Sequence, residues 1–253
     1  MVLYGLIINN INIDNYIIIL NMCNILCLII SDDSLPIYKN NKNIWLTYMN
    51  RFENIKCYFI EFSNDETKTY PFIENNTCYL KGKESYSNIL LKTLNSIEYF
   101  INSDNHYDFV LRTNLSTVVN FNRLEQYLQP LEPVNIYSGQ DGPYYNIVDW
   151  HFMFKFIGGY GIIMSNDVCK LLIKNRNIAE SFKNMDDIDI GYTMHTLNIP
   201  IKLLECCTIN NPTDFEVKKN NGNHDFVIYR VKQSDDRTTE HIIMQNIVNS
   251  IYH

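Results

Sequence analysis

The chain has 253 residues, 46% hydrophobic and 19% charged, with a formal net charge of −7. That balance fits a folded domain with a sizeable core and excludes intrinsic disorder. The acidic surplus and the lack of a Lys/Arg cluster weigh against nucleic acid as a partner.

Residues 1–22 read as a short extension before the first core strand. Their apolar runs "VLYGLII" and "YIIIL" are broken by "NNINIDN", so none reaches the ~20 residues of a membrane span. No basic n-region or small-residue cleavage site marks a signal peptide. A soluble, cytoplasmic protein is therefore expected, with one domain over 23–253. The run "ILCLIIS" suits a strand buried on both faces, followed by the polar loop "SDDSLP". "NKNIWLTYMNRF" predicts a helix and "IKCYFIEF" a strand. "ESYSNILLKTLNSIEYFI" predicts a longer helix, with Tyr86, Leu90, Thr93, Leu94, Ile97 and Ile101 on one face.

Tyr107 to Leu111 reads as a strand running into a polar loop from Arg112 to Ser116. "RLEQYLQPL" predicts a helix and "VNIYSG" a strand. After the turn-rich "QDGPYYN" and the aromatic "DWHFMFKFIGGYGIIMS", "NDVCKLLIKN" predicts a helix capped by Ser165 or Asn166. "MDDIDIGYTMHTL" predicts another, its acids at the end the dipole favours. "IKLLECC" and "FVIYRVK" read as strands, and "TTEHIIMQNIVNSIY" as a terminal helix with Ile242, Ile243, Ile247, Val248 and Ile251 on one face. Alternation of this kind implies an α/β/α sandwich around a central, mostly parallel sheet. The seven cysteines are odd in number, form no C-x-x-C and sit in apolar runs, so they read as buried thiols in a reducing compartment. Cys206 and Cys207 would point to opposite faces of a strand.

Open α/β sheets bind ligands at the carboxyl ends of their strands. Three polar clusters fall there: Ser31-Asp32-Asp33, Arg112 to Ser116, and Gly158-Gly159-Tyr160-Gly161 with the nearby "MDDIDIG". Neither a dinucleotide fingerprint nor a G-K-[ST] phosphate loop is present. The glycines offer a backbone that a sugar or diphosphate can approach closely.

Four segments in order resemble the GT-A fold glycosyltransferases, above all the β1,3-galactosyl/N-acetylglucosaminyl and Fringe-like group. They span about Ile25 to Pro200. "NILCLIIS…NIWLTY" is similar to that group's first strand and helix. "ESYSNILLKTL" is similar to its D-x-Y-x-N-L-x-x-K-T-L helix at Glu84, Tyr86, Asn88, Ile89, Lys92, Thr93 and Leu94. "YDFVLRTNLSTVVN" resembles the strand carrying D-D-D, and "FIGGYGIIMS…MDDIDIG" resembles G-G-G-Y-V-L-S…E-D-V-x-x-G.

The resemblance implies transfer of a sugar from a nucleotide diphosphate, first of all a UDP-sugar, to a hydroxyl of a glycan or glycoprotein. It aligns Asp187 with the proposed general base of an inverting reaction. A sugar hydroxyl needs such a carboxylate to accept its proton as it attacks. On a helix Asp186 and Asp189 share a face while Asp187 projects about 100° away from Asp186. Asp186 and Asp189 also read as helix-capping acids, and Asp189 and Trp150 (with His151) fall where an acceptor loop would lie.

The three metal-binding aspartates of the group fall on Asn114, Leu115 and Ser116. Neutral oxygens are feeble ligands for Mn2+ or Mg2+, so little or no metal dependence is expected. Asn114, Ser116, Ser31, Gly158 and Gly159 become donor contacts. The charge on the departing diphosphate must then be offset elsewhere. Arg230 and Lys232 on one strand face, with Arg112, are the cations proposed, and His224 and Arg237 lie close in sequence. Solvated charges on an edge strand are the plain alternative for each. Trp45 reads as core, and Asn75 opens a glycosylation sequon. The Asn- and Ile-rich vocabulary fits a large DNA virus or a microbial parasite. Two further readings stand beside this one: an inactive GT-A-like module that binds glycans or nucleotide sugars, and a nucleotidyltransferase on a related sheet, the latter disfavoured by the missing phosphate loop.

Overall fold

The computed structural model describes residues 22–142, 145–147, 152–222, 225–231 and 237–253. The first strand, β1 (Ile25–Ile30), is buried along its whole length. Its side chains alternate between two cores, with Ile25, Cys27 and Ile29 in one and Leu26, Leu28 and Ile30 in the other. That two-faced burial is why the run is uniformly apolar. Helix α1 (Pro36–Leu46) follows, with proline at its first turn, where the missing N–H costs nothing. It leads to β2 (Ile55–Ser63), which pairs parallel with β1.

The remaining strands are β3 (Phe72–Glu74), β4 (Thr77–Lys81), β5 (Phe109–Asn114), β6 (Thr117–Val119), β7 (Tyr137–Gly139), β8 (Tyr145–Ile147), β9 (Phe152–Phe154), β10 (Ile162–Ser165), β11 (Ile201–Leu203), β12 (Cys207–Thr208) and β13 (Ile228–Arg230). The further helices are α2 (Ile89–Ile101), α3 (Phe121–Leu128), α4 (Asn166–Lys174), α5 (Arg176–Phe182), α6 (Asp186–Thr196), α7 (Pro212–Asn220) and α8 (Glu240–Tyr252). Eight strands form one sheet in the order β11-β7-β10-β5-β1-β2-β4-β3. β10 runs antiparallel to both its neighbours and β3 antiparallel to β4, while the other pairings are parallel. Residues of α1, α3 and α8 pack in the core on one face, and residues of α2, α4, α5 and α6 in the core on the other. The expected mixed α/β class, with a large, mostly parallel central sheet, is the one observed. A small sheet, β12-β13-β6, lies beyond the end of β5.

Several local expectations are corrected. β5 does not stop at Leu111 but continues to Asn114, because Arg112, Thr113 and Asn114 pair with Leu28, Ile29 and Ile30 of β1. The helix expected from Glu84 begins as a 3-10 turn, Tyr86–Asn88. Its tighter winding shifts Tyr86 off the apolar face, and 69% of that residue is exposed. On α8 the buried stripe is Ile243, Met244, Ile247 and Val248, while Ile242 faces solvent. Cys206 and Cys207 do not share a strand, since "IKLLECC" divides between β11 and β12. β13 is three residues long, and Lys232 and His224 lie outside the described residues. Trp45 is core as expected: it is fully buried and its indole Nε1 donates to the Leu115 carbonyl at 3.2 Å.

Candidate functional site

The carboxyl ends of β1 and β5, the glycine loop before β10, the start of α6 and the end of β13 enclose a cleft of about 640 Å3. Ser31, Arg112, Asn114, Ser116, Gly158, Gly159, Asp187 and Arg230 all line it. The structure thus brings together eight residues that the sequence scatters over two hundred positions. Trp150, His151 and Lys232 lie outside the described residues.

Asp187 sits in the first turn of α6. One carboxylate oxygen accepts from the Ile188 N–H at 3.0 Å and the other from the Gly159 N–H at 2.9 Å. Helix-terminal stabilisation and a place in the cleft therefore coexist in one residue. No basic side chain forms an ion pair with it among the described residues, so its oxygens keep lone pairs open to a further hydrogen bond.

Arg112 behaves differently from expectation. It is 1% exposed, and its fork is occupied by the protein itself. One terminal nitrogen donates to the Gly159 carbonyl and, at 3.0 Å, to Asn114 Oδ1, while the other pairs with the Asp186 carboxylate. Burial pushes the Asp186 carboxyl above its ordinary range, and the guanidinium pulls it back. A buried arginine whose two terminal nitrogens already bind the protein has few donors left for a diphosphate.

Asp189 is likewise engaged by the protein itself. Its carboxylate is 1% exposed and accepts the Asn184 N–H at 2.9 and 3.1 Å. It tethers the chain just after Lys183, which holds a left-handed φ of 54°, and does not line the cleft. Burial raises its pKa to about 6.

Arg230 remains a free cation of the cleft. Its guanidinium stacks on the Tyr160 ring at 4.9 Å, and no carboxylate pairs with it among the described residues. Such stacking holds the charge in place while leaving its N–H edge for an anion. Arg237 is bound to Glu240 and to the Tyr38 hydroxyl, so its charge is already matched.

Ser31 is nearly inaccessible. Its hydroxyl donates to Glu61 at 2.6 Å, and its carbonyl accepts from Lys92 at 2.7 Å. Lys92 also pairs with Glu84, whose carboxylate accepts the Phe62 N–H at 2.6 Å. Burial lowers the Lys92 pKa and Glu84 opposes the fall. Lys92, Glu84 and Tyr86 were legible as motif residues but not as cleft lining. Asp32, from the first of the expected polar clusters, lines it too, and so do Asp141 and Phe156, which only the spatial meeting of separate loops shows.

At the end of β5, where the resemblance puts a metal, Asn114, Leu115 and Ser116 offer no carboxylate. Asn114 Oδ1 accepts from a guanidinium, Ser116 is neutral, and hard cations require carboxylates or phosphates. Among the described residues no group of three or more His, Cys, Asp or Glu side chains could hold a metal ion. No helix among them is long and apolar enough to cross a membrane.

No protein-family profile matches the chain, and no curated protein matches it in sequence. Among solved structures, one similar chain is a glycosyltransferase involved in the glycosylation of the major capsid of PBCV-1. Identity is 11%, with 88% of this chain and 99% of that one covered and a TM-score of 0.49. Another is 4-diphosphocytidyl-2C-methyl-D-erythritol synthase from Anaerococcus prevotii, at 14% identity, 73% and 88% coverage and a TM-score of 0.42. Likeness this distant leaves the site's own geometry to carry the functional reading.

Proposed function

We propose that the protein is a glycosyltransferase that moves a sugar from a nucleotide diphosphate, a UDP-sugar first of all, to a hydroxyl of a glycan or glycoprotein. The observation that carries this reading is the Asp187 carboxylate, fixed by the Gly159 N–H at the wall of a cleft that also presents the unpaired Arg230. Asp187 accepts the acceptor hydroxyl's proton as the oxygen attacks the anomeric carbon, which inverts that centre. Arg230 offsets charge on the departing diphosphate, the duty a metal would otherwise perform. Asn114, Ser116 and the glycine-loop backbone contact the donor. Weak or no metal dependence follows from the donor set around Asn114.

A second reading is favoured by one observation: Arg112 spends its charge on Asp186 and a hydrogen bond on Asn114, which leaves no unpaired charge at the end of β5. On that reading the cleft binds a nucleotide sugar or glycan without turnover. Donor titrations with UDP-, GDP- and dTDP-sugars, each with Mn2+ and with EDTA, separate the two. Slow donor hydrolysis that survives EDTA and drops about 100-fold or more in Asp187→Asn is expected, the range of a lost general base. Binding without turnover, unchanged in that variant, supports the second reading instead.

A further inference from the structure

The glycine loop meets the base and its neighbour through the backbone of one residue, Gly159. Gly159 gives its N–H to Asp187 and its carbonyl to Arg112. Arg112 in turn grips Asp186, the residue before the base, and Asn114 at the end of β5. Three separate elements therefore converge on one guanidinium: strand β5, the glycine loop and the first turn of α6. A Cβ at position 159 would lie 2.8 Å from the Arg112 nitrogen and 3.3 Å from the Asp187 oxygen. The glycine is thus needed for the close approach of protein groups, not only for room beside a ligand. The Arg112 Nε is buried with no partner. The side chain is drawn to this point by its two terminal nitrogens at the expense of the third.

We infer that Arg112 is the positioning residue of the site: it sets the Gly159 peptide and the start of α6 so that the Asp187 carboxylate is held towards the cleft. The inference rests on the proposed role of Asp187 as base. Its structural part, the coupling of Arg112 to the Gly159–Asp187 hydrogen bond, does not depend on turnover. A guanidinium can hold a carboxylate and a carbonyl from separate nitrogens in one plane. An ammonium at the same site keeps the charge but loses that fork. The device needs both the charge and the planar geometry.

The test uses the full chain in three forms: wild type, Arg112→Lys and the paired variant Arg112→Met with Asp186→Asn. The pair removes both buried charges at once, which keeps the protein folded even where the single charge change does not. UDP affinity, kcat for UDP-sugar hydrolysis, thermal midpoint and hydrogen-exchange protection of the Gly159 amide are read in each. The expected result is a tenfold or greater loss of Gly159 protection in both variants. The kcat falls tenfold or more while the UDP Kd moves less than threefold. In the paired variant the kcat deficit persists although the thermal midpoint recovers.

Recovery of kcat together with stability would show a merely structural role and overturn the inference. An equal loss in Kd and kcat would overturn it in favour of direct donor contact. If wild type shows no turnover, the base reading fails. The amide protection still decides the positioning claim, and protection unchanged in both variants defeats it.

Discussion

Single residues in the cleft divide into those whose charge is spent and those whose charge is free. Lys92, Arg112 and Arg237 are matched by Glu84, Asp186 and Glu240, whereas Arg230 rests on a tyrosine ring. Arg230→Ala is therefore expected to weaken UDP binding about 10- to 100-fold, the worth of a charge-assisted hydrogen bond. The titration of UDP at low and high salt checks it, and an unchanged Kd would remove Arg230 from the site.

Asp189 gives a second residue-scale prediction. Its folded pKa of about 6 stands above the ordinary value of 3.8, so between those values the native state holds the proton more tightly than the unfolded chain. Its contribution is fully present below about pH 4 and is lost as pH rises through 6, about 3 kcal/mol in all. Asp189→Asn should gain stability relative to wild type as pH rises from 4 to 7. Urea unfolding at a series of pH values measures this, and a difference that stays flat across the window rules the account out.

At the scale of elements, α6 is the part on which the site depends, and its seat is a glycine. A Cβ at Gly191 would lie 2.3 Å from the Phe156 Cβ and 3.0 Å from its Cα. Neither atom is the end of a flexible side chain, so the helix itself must shift. Gly191→Ala should destabilise by about 1–3 kcal/mol through overpacking, despite alanine's better helix propensity. A lower thermal midpoint with weakened hydrolysis is the expected result, and a stabilised variant would mean the helix has room to move.

Elements also show where the text of the chain was legible. β1, α2 and α8 announce themselves by apolar runs or a 3.6-residue period, and they form where those patterns fall, though Tyr86 and Ile242 leave the expected faces. The β3–β4 hairpin went unread because its strands are short and mixed in polarity. Its turn, Asn75-Asn76, carries φ of 48° and 62°, the chemistry of a two-residue hairpin. The same residues, with Thr77, also spell a sequon. α5 and α7 were missed because each buries a single side chain, Ala179 and Phe215, which leaves no apolar stripe to read.

Across the whole molecule, the C-terminal helix closes over the first half of the chain. The Tyr252 hydroxyl donates to the Val119 carbonyl at 2.8 Å and accepts the Phe121 N–H at 2.9 Å. Its ring stacks on Tyr48 at 5.1 Å. The two backbone groups belong to the last residue of β6 and the first of α3. Tyr252→Phe leaves them unmatched and should cost about 1–3 kcal/mol. Denaturant unfolding checks that cost, and a change within a few tenths would show that water satisfies both groups.

The sequence by itself determined the layered α/β class, the order of the main elements and the identity of the cleft loops. These follow from local periodicity, which each segment carries within its own residues. Asp187 and Gly159 could be named because the motifs that carry the family resemblance are local, and Arg230 because strand alternation is local too. What the tertiary structure decided is which charges are already paired. Arg112 and Asp186 are 74 positions apart, and nothing in either neighbourhood predicts their meeting. Asp189, two residues from the base, turns inward only because the helix rotates it towards Asn184. Electrostatic partners are set by distance in space, and the fold alone brings those groups within reach.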